Sequence, residues 1–219
     1  MKKDNMPQVA RFWNDIAEEF DTIYTGRKSS FARFLDQRLR KDIYQRFDWV
    51  MERCGDVRGR RICDIGCGSG RFVTEFAKRG AGHITGVDVA PEMLRLSKEL
   101  VTADGVADRC DFVLADVLNW KTDQIYDITI AIGFWDYIQD PPERLRLIRK
   151  LTKSKFLSAW PRFWTWRMPV RKVRLQVIRG CPVYFFRRPQ VEAMLRGAGF
   201  EVVRCDTVGK LFCVEARPV

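Results

Sequence analysis

The sequence predicts an α/β fold: a doubly wound, mostly parallel Rossmann-like sheet of seven strands with an antiparallel last strand, plus a helical N-terminal cap. Three observations carry that prediction. From residue 60 onward, short apolar runs alternate with amphipathic stretches, as repeated βα units do. The first unit turns at Asp64-Ile65-Gly66-Cys67-Gly68-Ser69-Gly70, where glycines at alternate positions permit a tight passage from strand to helix. The chain closes on two strand-like runs with only a short polar turn between them, which implies antiparallel pairing.

Ahead of the sheet, Val9, Phe12, Trp13, Ile16, Ala17, Phe20, Ile23 and Tyr24 keep helical spacing. Phe31, Phe34, Leu35, Leu39, Ile43, Phe47, Val50 and Met51 repeat it, with a break from Gly26 to Ser30. These stretches define a cap over 1–57, before a domain over 58–219. Arg61 to Ile65 reads as the first strand and Arg71 to Lys78 as the helix after the glycine turn. His83 to Val87 is a second strand, followed by a helix over Pro91 to Val101 that proline opens at its first turn. Cys110 to Leu114 is the third strand. Tyr126 to Ile132, almost wholly apolar, is the fourth, covered on both faces. Pro142 to Leu151 is helical, Lys155 to Trp160 is the fifth strand, and Gln190 to Ala198 is the last helix. Glu201 to Cys205 and Leu211 to Ala216 finish the sheet, with Asp206 to Lys210 as the turn.

Composition narrows the chemistry. The 219 residues are 46% hydrophobic with mixed charge, which fits one globular domain with a substantial core. No signal-peptide core follows the start and no apolar run is long enough to span a bilayer, so the expected location is the cytoplasm. The seven cysteines form no CxxC pair and read as buried reduced thiols. A single histidine, His83, excludes a multi-histidine metal site, and no metal is expected.

Charge at the strand ends selects the ligand. A dinucleotide would bring a pyrophosphate to the glycine turn, where Asp64 would repel it. S-adenosylmethionine (SAM) brings no phosphate, but carries an ammonium and a sulfonium. Asp88 follows Gly66 by 22 residues, at the end of the second strand, where an acid accepts from both ribose hydroxyls. Asp116, after the third strand, is placed to accept from an adenine amino group, with Val89 and Met93 sandwiching the base. A nicotinamide or flavin site expects G-x-G-x-x-G, but Arg71 stands at the third glycine position, and no Gly-Lys-Ser/Thr follows to make a P-loop.

On these residues the chain resembles the class I SAM-dependent methyltransferases, best over about residues 60–160. The resemblance implies cofactor binding by Asp64, Gly66, Cys67, Gly68 and Gly70 at the methionine part. It further implies Asp88, Val89 and Met93 at the ribose and base, Asp116 and Val117 at the adenine, and Gly133 after the fourth strand. The helical preface is similar to that of small-molecule methyltransferases acting on quinones or magnesium protoporphyrin. Many of those place an acid–histidine pair after the fourth strand. Here that stretch is Gly133-Phe134-Trp135-Asp136-Tyr137, with tyrosine at the histidine position. Asp136 and Tyr137 are therefore the candidate base or orienting pair, for a reaction that consists mainly of in-line positioning.

Net charge is +11, and one region supplies it. From Arg144 to Val191 there are 14 basic residues and no acid, leaving 25 basic against 28 acidic elsewhere. Arg162-Phe163-Trp164-Thr165-Trp166-Arg167 interleaves cations with aromatics, within an insertion over about 161–188 on the acceptor side. Trp135, Arg162, Trp164 and Arg167, with Tyr24 from the first helix, are the candidate substrate-binding residues. The expected acceptor is a small anionic or hydrophobic molecule methylated at oxygen. Contact of the basic segment with an anionic membrane surface, an RNA methyltransferase using that segment, and a SAM-fold binding protein without turnover are the competing readings. Oligomeric state is open.

Overall fold

The computed structural model describes residues 5–25, 41–163 and 181–219. Seven strands, β1 (Arg61–Ile65), β2 (His83–Asp88), β3 (Cys110–Leu114), β4 (Tyr126–Ile132), β5 (Thr152–Pro161), β6 (Phe200–Val208) and β7 (Leu211–Pro218), form one sheet in the order β3-β2-β1-β4-β5-β7-β6. All pairings from β3 through β5 are parallel, and β7 lies antiparallel to both β5 and β6. Strand order reverses between β1 and β4, which is where an open α/β sheet leaves a crevice at its carboxyl edge.

Among the described residues, six α-helices surround the sheet: α1 (Met6–Thr25), α2 (Lys41–Cys54), α3 (Arg71–Lys78), α4 (Pro91–Ala103), α5 (Pro141–Leu151) and α6 (Arg188–Gly197). Alternation along each strand sorts side chains onto two cores. Ile62, Ile128, Ile130, Ile132 and Leu157 face Val50 of α2, Val73 and Phe76 of α3, and Leu94 of α4. Cys63, Ala131, Phe156 and Trp160 face Leu145 and Ile148 of α5 and Leu195 of α6. Val50, Met51 and Cys54 of α2, ahead of the expected boundary at residue 57, share a core with the sheet.

The N-terminal helix straddles the crevice. Met6, Val9 and Phe12 join the core beside Tyr137, while Ala17 packs with Ala90, Met93 and Leu96. The α4 N-terminus has no side-chain cap of its own. Instead Asn14 Oδ1 accepts the Glu92 N–H at 3.2 Å, taking one of the first-turn donors left open at any helix start. Glu18 pairs with Arg95 one turn further on.

The expected elements recur with shifted ends. The part of the second amphipathic stretch before Lys41 lies outside the described residues, and α2 runs on to Cys54. Asp206 is not in the final turn: β6 continues to Val208, and Asp206 accepts from Trp49 Nε1 at 2.9 Å. An acid reads locally as a turn former, but here a distant indole donor keeps it in the ladder.

Trp135 is also relocated. It is fully buried and stacks on Trp160 with ring centroids 4.2 Å apart and planes 8° from parallel, within the core cluster. Replacing Trp135 with Ala is expected to cost about 3–5 kcal/mol of stability, as large-to-small core changes do. Denaturant unfolding measures this. An unchanged midpoint with an altered KM would return Trp135 to the site.

Candidate active site

The carboxyl edge of β1, β2 and β4 assembles the site from short-range geometry. At Gly66 the backbone takes φ +73°, and a Cβ there would stand 3.0 Å from the Phe134 ring. Glycine is required both by that conformation and by that contact. The Gly66 and Cys67 N–H groups donate to Val87 O at 2.7 and 3.1 Å, pinning the turn to β2. Asp88 then ties the turn to α4: Oδ2 accepts from Gly68 N–H and Oδ1 from Ala90 N–H, both at 2.9 Å. Burial pushes the Asp88 carboxyl up, against the opposing pull of these N–H donors. Ser97 Oγ donates to Gly68 O at 2.7 Å, and the turn opens directly into α3 at Gly70.

Asp64 is the anomaly. It is 1% exposed, and neither carboxylate oxygen has a hydrogen-bond partner among the described residues. Burial, with the nearby Asp88 charge, raises its carboxyl to about 8. A buried carboxylate without a donor is costly, and proteins keep such groups for a charge that arrives from outside. The neighbouring Ser69 hydroxyl is likewise buried without a partner.

A complementary cation stands at the end of β4, the strand paired beside β1. Gly133, with φ +79°, leaves its α-carbon bare, and Arg46 Nη1 of α2 lies 3.2 Å from where a Cβ would be. Arg46 makes no ion pair among the described residues. Sequence reasoning missed it because it sits among ordinary helix positions 20 residues before Gly66. The one available signal was a glycine directly after an apolar strand.

Other expected residues are placed differently. Asp116 is committed to Arg144 of α5, Nη2 to Oδ2 at 2.7 Å, with both side chains buried. Met93 is buried beside Ala17 of α1, and Val89 packs on the larger core. Cys67 Sγ packs where a Cβ on Gly86 would fall and is buried, turned to the sheet. Asp136 and Tyr137 form a 3-10 turn and are both buried; Tyr137 meets Trp13 edge-on at 5.5 Å, and Asp136 O accepts from Tyr184 N–H at 2.8 Å. Arg162 lies over Phe212 and donates to Gly209 O at 3.2 Å, toward the β6–β7 turn. Trp164, Arg167 and the Tyr24 side chain lie outside the described residues.

The basic window is partly structural. Arg144 is buried on Asp116, Arg149 donates to Gly199 O and Val219 O, and Arg188 pairs with Glu192. Lys153 reaches Asp127, and Lys155 reaches Glu215. Of these, Arg144 is buried, whereas Lys153 and Arg188 pair at the surface.

Comparison with known proteins follows this geometry. A family described as "Methyltransferase domain" matches residues 31–204. The ubiquinone biosynthesis O-methyltransferase of Aeromonas salmonicida is 32% identical over 108 residues, spanning 49% of this chain and 45% of that protein. The enzyme of the same name from Bordetella avium is 27% identical over 170 residues, 71% of this chain and 68% of its own. Among solved structures, magnesium protoporphyrin IX methyltransferase from Synechocystis with bound S-adenosylhomocysteine (SAH) superposes with a TM-score of 0.80 at 17% identity, covering 99% of this chain and 100% of that one. The match to the first of these relatives therefore spans less than half of that protein's length.

The raised Asp64 carboxyl fixes the sign of a stability effect. Between its unfolded value near 3.9 and its folded value, the native state holds a proton that the unfolded chain has released, so stability falls as pH rises through that window. Asp64→Asn is expected to raise the melting temperature at about pH 8, with the gain shrinking toward about pH 4, while weakening SAH binding by about tenfold or more. Calorimetric melting and binding titration check both halves. A variant that melts earlier at high pH, or binds SAH as before, would contradict this account of the residue.

Proposed function

This chain belongs to the methyltransferase domain family, and on that premise we propose that it moves a methyl group from SAM to a small anionic or hydrophobic acceptor, at oxygen. One observation carries the proposal: a buried carboxylate with no donor among the described residues, under a glycine turn, beside a strand end at which Arg46 of α2, unpaired among the described residues, stands. An amino-acid head, ammonium and carboxylate together, satisfies both charges at once. The residues present fit the group. Asp64 would hold the ammonium, Arg46 the carboxylate, and Asp88 the ribose hydroxyls with its remaining acceptor positions. When bound, SAM supplies an electrophilic methyl on a sulfonium.

The protein's contribution is placement and exclusion. Gly66 and Gly133 leave bare backbone at the ends of β1 and β4, Phe134 walls the space between them, and α1 roofs it through Trp13 and Tyr137. Holding two reactants in line supplies most of what such a displacement needs. Asp136 and Tyr137, buried against that roof, are assigned to shaping the wall. An acceptor oxygen that is already ionised requires no protein base.

The small-molecule reading is supported by the relatives, whose names specify ubiquinone biosynthesis and magnesium protoporphyrin IX. Engagement of Arg144, Arg149 and Arg188 with the protein's own acceptors weighs against their use in a phosphate-binding groove. Membrane contact through the basic segment rests on residues 164–180, outside the described ones. Incubating the protein with methyl-labelled SAM and a panel of quinones, phenols, porphyrins and RNA tests the proposal. Label in a phenol, quinol or porphyrin carboxylate is expected. Label in RNA alone would refute it.

Arg46 has its own test. A charge-assisted hydrogen bond contributes about 1.5–3 kcal/mol, so Arg46→Met is expected to weaken SAH binding about tenfold to a hundredfold. Binding of decarboxylated SAM, which keeps the ammonium but lacks the carboxylate, should change by less than about twofold. Equal losses for the two ligands would remove Arg46 from this role.

A further inference from the structure

The acid at the end of β3 is already occupied by the protein itself. Asp116 Oδ2 accepts from Arg144 Nη2 at 2.7 Å, and Oδ1 accepts from Arg144 Nε at 3.3 Å. Oδ1 also accepts the Leu118 N–H at 3.2 Å. A carboxylate offers about four acceptor positions, and three of these are taken. The two side chains are only 7% and 6% exposed, so little of the carboxylate is open to a ligand.

The next residue is in the opposite condition. The Leu118 and Asn119 N–H groups both turn back onto Asp116, to its side chain and its carbonyl. The Val117 N–H between β3 and those donors has no acceptor among the described residues. Past the end of β3, then, the chain presents a free main-chain donor and a carboxylate that is already spoken for.

We propose that Arg144 is a positioning residue for the adenine end of the cofactor pocket: it withdraws Asp116 from ligand recognition, so that the base is read through the Val117 N–H and not through its 6-amino group. This rests on the reading of the crevice as a SAM site. An adenine ring offers an acceptor at N1 and a donor at the 6-amino group. A pocket with a free donor and a carboxylate already engaged at three of its four positions reads the first more strongly than the second. Arg144 thereby determines specificity without touching the cofactor. Removing its guanidinium frees the Asp116 carboxylate as an acceptor, and a buried acceptor left unmatched by a ligand is penalised strongly.

The test compares SAH with its analogue carrying hydrogen in place of the 6-amino group, which keeps N1 as an acceptor. Affinities are measured by titration calorimetry on the full chain, for the wild type, Arg144→Met, and the charge-neutral double variant Asp116→Asn with Arg144→Met. The wild type should bind the two ligands within about threefold of each other. Arg144→Met should prefer SAH by about tenfold or more, and the double variant should return toward the wild-type ratio. A pair that merely braces the fold would change both affinities together and leave their ratio alone. A preference of about tenfold for SAH in the wild type overturns the proposal, and so does an unchanged ratio in Arg144→Met. If the single variant fails to fold, the wild-type ratio still decides. Absence of SAH binding in the wild type would instead overturn the cofactor reading itself.

Discussion

An ionisable side chain that the fold does not satisfy organises this molecule. Asp64 lies at the end of a central strand, sealed from solvent, with no donor to either oxygen among the described residues. Neutralising it would cost the protein little, since Asn has the same shape. Its retention at a glycine turn makes sense when the missing partner is a cation delivered by a ligand. The rest of the carboxyl edge is arranged around that deficit. Asp88 ties the turn to α4, Gly133 makes room for Arg46, and Phe134 closes over Gly66.

The two faces of the sheet divide the labour. The helices α2 and α3 pack on the face that Asp64 shares with Ile62, and Arg46 arrives from that side. The opposite face carries α5, α6 and the stacked Trp135 and Trp160, which make a rigid floor under the turn after β4. The α1 helix joins the halves by capping α4 with Asn14 and packing on Tyr137. Each cofactor-side element is thus braced by a residue distant in sequence.

What could be read from the sequence follows from that division. Period and punctuation located β1, α3, β3 and β4 to the residue, because glycine, proline and apolar runs act locally. The glycine turn with Asp64 and Asp88 was legible for the same reason. Long-range pairing was not. Nothing near Asp116 announces Arg144, 28 residues on, and nothing near Asp206 announces Trp49. Aromatic residues misled in a similar way: Trp135 follows the fourth strand as an acceptor residue would, but a second indole on β5 draws it into the core. The basic window looked like one surface, but Arg144 serves the buried Asp116 and Arg149 the carbonyl of Gly199.

Fold alone does not determine chemistry. The assignment rests on charge at one crevice, so proton counting tests it most directly. SAH should be titrated into the protein at about pH 7 in buffers of differing ionisation enthalpy. With the Asp64 carboxyl raised to about 8, binding of an ammonium should release close to one proton per site. Tight binding with no proton released would show that Asp64 does not meet the ligand, and would contradict the account.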